Sequence, residues 1–403
     1  MASGASRGAN ALDHVKRLHD ALAAGDRAQL ARHVSAALWY LDLPQRGAAS
    51  AILRYASGLA REPEDSLELL DGELAGLDAD GLRALSRGFA LVGAYRAGGR
   101  ARRLARDMDL AERPSRGSER WEWWLRAMVD RGDLDTVRLE LSRDAGAVRR
   151  SRALRWLGIY VGESSDTQLA GRELAEIVES HPVVLEGPLS EYESSGRSQT
   201  RGIVSVRFKY LGHLPDDGGA TTCDISVVNG HAYRDLEAKF GASSQGWTMR
   251  PCRLLLYKAK RPPQCHLGIQ TMRLAARPAV YVEKASLGPM TILELLAAKP
   301  QSLTLRGIDL HLGELTHGPS YPLFDTKIDR DTNGGMTSVG VARSGGIHEP
   351  ISQFNFLKHL HDAGRILAEE RLAAILRLDE SEFAIRLEQR HGFPFLRRQV
   401  ASG

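Results

Sequence analysis

The chain has 403 residues, enough for two domains, and its 43% hydrophobic and 26% charged residues are those of an ordinary globular protein. A formal net charge of +4 is too small to argue for nucleic acid, and no apolar run is long enough to span a bilayer. Three cysteines (Cys223, Cys252, Cys265) form neither a zinc spacing nor a disulfide framework, which points to a reducing compartment.

The first residues, MASGASRGANALDHVKRL, lack the apolar core of a signal peptide, so the cytoplasm or the cytoplasmic face of the inner membrane is the expected location. Residues 1–180 are rich in Ala, Leu and Arg. Apolar residues recur at helical spacing in HVKRLHDAL, LARHVSAALWYL and LRALSRGFALVGAY. Turns at Gly25-Asp26 and Gly132-Asp133 are each followed by another amphipathic stretch. This predicts an all-α, helical-repeat-like domain of stacked hairpins. The WEWW cluster at Trp121–Trp124 reads as core packing.

The character changes at His181-Pro182. Runs of strand type follow: VVLEG, GIVSVRFKYLG, CDISVVNG, CRLLLYKAK, AVYVEK and SLTLRGIDL. Several are continuously apolar, as strands buried on both faces are. Helical stretches such as TILELLAAK intervene, and the tail EPISQFNFLKHLHDAG, EERLAAILRL and DESEFAIRLEQRHG is helical. Residues 181–403 are therefore expected to form an α/β domain on a mainly parallel, Rossmann-like sheet. Ligands of such sheets sit beyond the carboxyl ends of the strands, where Gly187, Gly230 and Gly307 are expected.

Chemistry-bearing residues cluster in the same half. Gly187-Pro188 follows a strand, and a glycine there lets backbone approach a ligand. Arg207 offers a two-pronged donor set for a carboxylate or phosphate. Asp224 and Asn229 bracket a strand and, with Gly187, are expected to form one cluster at a sheet edge. Gly307-Ile-Asp309 ends another strand, with His311, His317 and Tyr321 beyond it as donors to a phosphate that gains charge. His348 stands just before a helix opened by Glu349-Pro350, and histidine is the side chain most easily poised as a general base. Asp329-Arg330-Asp331 has the DxD spacing of a metal-bound nucleoside diphosphate site but lies in a polar, glycine-rich loop.

From about Val183 to Leu360 the chain resembles sialyltransferases of the bacterial lipooligosaccharide and animal kinds. The residues that carry the resemblance are Gly187-Pro188, Arg207-Phe-Lys209, Gly219-Ala-Thr-Thr222-Cys-Asp224, Asn229, SLGPMTILELLAAKPQSLTLRGIDLHLG, Tyr321-Pro322 and His348 in HEPISQFNFLKHL. Lys209 stands where the family has an asparagine. The resemblance implies a variant GT-A, sialyltransferase-like fold for the C-terminal domain. It implies an inverting, metal-independent glycosyltransferase whose donor is a CMP-activated nonulosonic acid of the sialic, legionaminic, pseudaminic or Kdo type. His348 would take the acceptor proton and Tyr321, with His311 or His317, would stabilise the departing phosphate. Gly187, Pro188, Arg207, Asp224, Asn229, Gly307 and Asp309 would line the substrate pocket. No cofactor is implied, and the acceptor would be a surface glycan or a protein such as flagellin. The N-terminal helices would then bind a protein acceptor or partner. Two other readings remain open: a non-catalytic helical scaffold with a degenerate α/β domain, and a metal-dependent UDP-sugar transferase using Asp329 and Asp331.

Overall fold

The computed structural model describes residues 17, 74, 76–164, 169–187, 202–208, 223–229, 252–258, 270–278, 280–282, 286–313 and 348–392. The N-terminal described part is helical: α1 (Ala79–Leu91), α2 (Tyr95–Ala111), α3 (Glu119–Arg131), α4 (Leu134–Arg143), α5 (Ala145–Arg150), α6 (Arg152–Val161) and α7 (Arg172–Val178). Short polar caps set the boundaries. Asp78 accepts from Gly81 N at 2.7 Å and Ser118 accepts from Trp121 N at 3.1 Å, each satisfying an amide that the first turn leaves unpaired. The Gly132-Asp133 turn works as its two residues suggest. Gly132 ends α3 in the left-handed region (φ 86°), and Asp133 caps α4 by accepting from Thr136 N at 3.3 Å. Trp121 and Trp124 are buried, in line with core packing, while Trp123 carries the Arg83 guanidinium 4.1 Å from its ring centroid.

The second part is a seven-stranded, all-parallel sheet with the order β5-β4-β3-β2-β1-β6-β7. Its strands are β1 (Pro182–Glu186), β2 (Val204–Phe208), β3 (Ile225–Asn229), β4 (Leu254–Lys258), β5 (Gln270–Arg273), β6 (Ser302–Arg306) and β7 (Leu367–Ala368). Helix α8 (Leu287–Ala297) precedes β6. After it come α9 (Pro350–Asp362), α10 (Glu370–Leu376) and α11 (Glu380–His391). This is an α/β architecture compatible with a Rossmann-like domain. The central strands are buried on both faces: Val183 to Leu185 in β1, Ile225 to Val228 in β3 and Leu254 to Tyr257 in β4. That is why they read as unbroken apolar runs. Helix α8 is apolar around nearly its whole circumference because α6, α9 and the sheet enclose it.

The chain lays β1 to β5 outward in one direction and then returns to place β6 on the other side of β1. The order therefore reverses between β1 and β6, and the crevice outside their carboxyl ends is the position such sheets use for ligands.

The hydrophobic core runs from Ala90 through the sheet to Leu387 without a break. The C-terminal helices fold back on the N-terminal ones, α9 against α3 and α11 against α2. The boundary expected at His181 is thus a change of secondary structure along the chain, and the packing continues across it.

Three elements differ from expectation. Residues Val280, Tyr281 and Val282 of AVYVEK are buried but join no strand. Their polar groups turn to side chains: Val282 N donates to Ser352 Oγ at 3.3 Å and the Tyr281 hydroxyl donates to Asp109 at 2.6 Å. Strand β5, QTMR, is largely exposed on the sheet edge and so carries no apolar signature. Strand β7 has two residues, too few to leave a pattern.

Candidate functional site

The carboxyl ends of β1 and β6 are joined by backbone. Gly187 N donates to Arg306 O at 2.7 Å. A Cβ placed on Gly187 would lie 2.4 Å from Gly307 O and 2.4 Å from Ile308 Cγ1. The missing side chain therefore lets two loop backbones meet, which is the role glycine plays here. Gly307 is left-handed (φ 61°), and its N–H donates to Glu369 Oε1 at 2.7 Å.

The loop after β6 is unusual in its backbone. Leu310 (φ 51°) and His311 (φ 69°) are consecutive left-handed residues that carry side chains. Each costs about 1–2 kcal/mol relative to ordinary backbone, and such strain persists only when surroundings over-determine it. Asp309 supplies part of that hold: its Oδ1 accepts from His311 N at 3.0 Å, and Leu312 N donates to its carbonyl at 2.9 Å. His391 Nε2 donates to His311 O at 2.7 Å, which sets the protonated nitrogen of His391. Asp309 is buried and faces Arg371 NH2 at 3.6 Å, and a Cβ on Gly313 would fall 1.8 Å from Asp309 Oδ2. Asp309 thus clasps its own loop. Burial pushes the His311 imidazole below its ordinary value, against the opposing pull of Asp309. Asp309 Oδ2 and His311 Nδ1 are buried and have no hydrogen-bond partner among the described residues.

His348 stands on the same edge. In a parallel sheet, a helix that follows one strand and leads to the next runs back, so its amino end lies at the carboxyl side of the strands. Both α8, which leads into β6, and α9, which links β6 to β7, do this. Glu349 caps α9, its Oε1 accepting from Ile351 N at 3.0 Å and its Oε2 from Ser352 N at 2.7 Å. Pro350 fills the first turn, where no amide hydrogen is needed. Gln353 Nε2 donates to His348 O at 3.0 Å, and Gln353 Oε1 accepts from the Ser286 hydroxyl at the start of α8. The His348 backbone is therefore tied to both helices that open on the crevice.

Other expected site residues fall differently. Arg207 and Glu186 are register partners on β2 and β1, and their side chains form an ion pair. This pair stands toward the carboxyl ends of β1 and β2. Asp224 lies just before the amino end of β3, with Asn229 at the carboxyl end of that five-residue strand, about 17 Å away along the chain. Asp224 Oδ2 accepts from Ser205 N at 2.9 Å and from Ser205 Oγ at 3.2 Å. It is a strand-to-strand clasp at the opposite edge, which corrects the expected cluster of Asp224 with Gly187. Asn229 is on the carboxyl side and half-buried. Pro188, His317 and Tyr321, together with Lys209, Gly230, Asp329 and Asp331, lie outside the described residues.

Residues that complete this edge and were not anticipated are Ser286, Gln353, Glu369 and Arg371. Only the cap signal of Glu349-Pro350 was visible locally; the others meet the site through tertiary contact. Among the described residues no group of three or more His, Cys, Asp or Glu side chains is placed to hold a metal ion. No helix among them is long and apolar enough to cross a membrane. Comparison with protein-family models, characterised proteins and solved structures finds no match for the chain.

Proposed function

We propose that the chain is an inverting glycosyltransferase that moves a nonulosonic acid from a CMP-activated donor to a glycan or protein hydroxyl. The observation that carries this reading is the meeting of three ligand-type features at one sheet edge. These are the β1–β6 reversal of strand order, the Gly187–Gly307 backbone contact and a histidine at the mouth of α9. The sequence resemblance from Val183 to Leu360 supplies the choice of donor.

In this reading the nucleotide lies over the carboxyl ends of β1 and β6. The acceptor oxygen attacks C2 of the sugar from the face opposite the phosphate. The C2–O bond to phosphate breaks, its electron pair leaves with CMP, and His348 takes the acceptor proton as general base. Tyr321, with His311 or His317, donates to the phosphate oxygens as charge develops there. A phosphate monoester is a good leaving group, so the scheme requires no metal.

The test is thermal stabilisation by CMP, CTP, UDP and GDP, followed by turnover of CMP-sugars by the wild type and by His348→Ala. A ligand that binds only the folded state raises the melting temperature by mass action. The expected result is CMP-selective stabilisation kept in His348→Ala, with turnover lowered about 10²–10⁴-fold. Stabilisation by UDP with manganese instead would move the site to Asp329 and Asp331. Stabilisation by none of them would favour a scaffold.

A further inference from the structure

Arg102 is fully buried in α2, yet its partners lie on three other elements. NH2 donates to Asp130 on α3 and NH1 donates to Glu380 on α11 at 2.7 Å. Nε donates to Ser352 Oγ at 3.2 Å, 250 residues along the chain, and lies 3.4 Å from Glu349 Oε2. Arg106 adds contacts to Asp130 at 3.2 Å and Glu380 at 3.1 Å, and Arg103 reaches Glu380 at 3.3 Å. Asn355 Nδ2 closes the group, donating to Glu380 at 3.0 Å and to Asp130 O at 3.2 Å. Three guanidiniums thus face three carboxylates, with Arg102 in the core and Arg103 at its margin.

A buried ionic group of this size is weak evidence of stability, because apolar side chains of the same volume often do as well. What it does here is fix direction. Arg102 itself meets the start of α9 at Glu349 and Ser352, beside His348, while Asn355, one turn on, meets Glu380 and Asp130. Glu349 is 2% exposed, and its two oxygens are taken up by the first amides of α9. His348 lies outside the helix, directly before its capping residue. Gln353, anchored by Ser286, holds the His348 carbonyl, and Glu349, anchored by Arg102, holds the turn that follows it.

We propose that Arg102 is a positioning residue for His348: it locks Glu349, which sets the first turn of α9 and thereby the histidine before it, and ties that turn to helices α3 and α11. This rests on the reading of His348 as the general base. A base displaced by about 1 Å from its productive geometry loses on the order of 10² in rate while binding is spared.

The experiment uses the full chain as wild type, Arg102→Lys, Gln353→Ala, His348→Ala and the pairwise combinations with His348→Ala. Lysine keeps the charge and loses the planar fork that spans Glu349, Asp130 and Glu380. CMP affinity is read by calorimetry, and kcat and KM are read with a CMP-sugar. The His348 ring is followed by NMR of the histidine-labelled chain, its resonance assigned by loss in His348→Ala. The expected result is a fall in kcat of about tenfold or more in Arg102→Lys and Gln353→Ala. CMP affinity stays within about twofold, the His348 resonance and its titration shift, and neither change lowers the rate further once His348 is alanine. Folded variants with wild-type kcat and an unmoved His348 resonance would overturn the proposal. If the wild type neither binds CMP nor turns over a CMP-sugar, the transferase reading fails, while the NMR comparison still decides the positioning claim. If Arg102→Lys does not fold, Glu349→Gln, which keeps an acceptor oxygen for the α9 amides and loses the ion pair with Arg102, carries the same comparison.

Discussion

Gly187 and Gly307 approach so closely that a single methyl group on Gly187 would sit 2.4 Å from the carbonyl oxygen of Gly307. The two residues end neighbouring strands at the point where strand order reverses, so their contact sets the floor of the candidate crevice. Gly187→Ala must push backbone away, since neither contact atom is the far end of a flexible side chain. We expect a loss of about 1–3 kcal/mol, the range of overpacked sites. Urea denaturation monitored by circular dichroism measures this. The same variant should lose nucleotide-induced stabilisation, whereas an alanine at the exposed Gly202 (φ 92°) should leave that stabilisation intact despite its own backbone strain.

Arg102→Met leaves Asp130 and Glu349 buried without their main counter-charge. Breaking a buried ionic group on one side costs about 3–5 kcal/mol. A matching loss in urea denaturation is expected. The double variant Arg102→Met with Asp130→Asn should recover part of it, because one stranded charge has gone.

Glu294 is fully buried in α8 and accepts from the amides of Ala275 and Ala276, at 2.7 Å for the latter. Burial raises its pKa from 4.5 to about 7, only partly offset by those two amides and by Arg152. The folded state therefore holds this proton more tightly than the unfolded chain. The contribution of Glu294 to stability is fullest below about pH 4.5 and is lost as pH rises through about 7. Glutamine keeps an acceptor oxygen for the two amides and cannot ionise. Glu294→Gln should flatten this segment of the profile in thermal unfolding against pH, and an unchanged slope would refute the assignment.

His359 has the opposite sign. Burial lowers its pKa to about 4 from 6.5, with Asp362 opposing and Arg102 assisting. The unfolded chain takes up the proton first, so the contribution of His359 to stability is kept above about pH 6.5 and lost as pH falls through about 4. His359→Gln should reduce the acid sensitivity in the same experiment. The ring also packs on Gly132, where a Cβ would come 3.0 Å from Nε2. Gly132→Ala combines this contact with a left-handed backbone (φ 86°) and should cost about 1 kcal/mol or more.

Much of the fold was legible because burial leaves a local signature. Strands β1, β3 and β4 are enclosed on both faces and appear as apolar runs, while α8 to α11 show helical spacing, with side-chain caps at α9 and α11. Tyr281 shows the limit of that signature. It lies in an apolar, β-branched run and is buried, yet its hydroxyl is claimed by Asp109, and the next residue's amide goes to Ser352 rather than a strand. Gln270–Arg273 shows the converse, a strand whose exposed side chains conceal it.

The site was less legible for a related reason. Gly187, Gly307, Asn229 and His348 could be placed on one edge from strand and helix order alone, since parallel connections put strand ends and helix starts together. Asp224 could not be told from Asn229 by its type, although the residue before a parallel strand and the residue at its end lie on opposite edges. That Arg207 has Glu186 as its register partner and ion pair was decided by the sheet order, which its own strand does not show.

The sequence by itself determined the helices, the buried central strands and the change of character at His181, because backbone periodicity and capping act over a few residues. Tertiary structure alone decided the single core that joins the two halves, the clasp around Asp309, and the line from Arg102 through Glu349 to His348. The core and the Arg102 line depend on contacts between residues hundreds of positions apart, and the Asp309 loop is held in part by Arg371 and His391 from later helices. An arginine bound for the core looks, in its own helix, like its solvated neighbours.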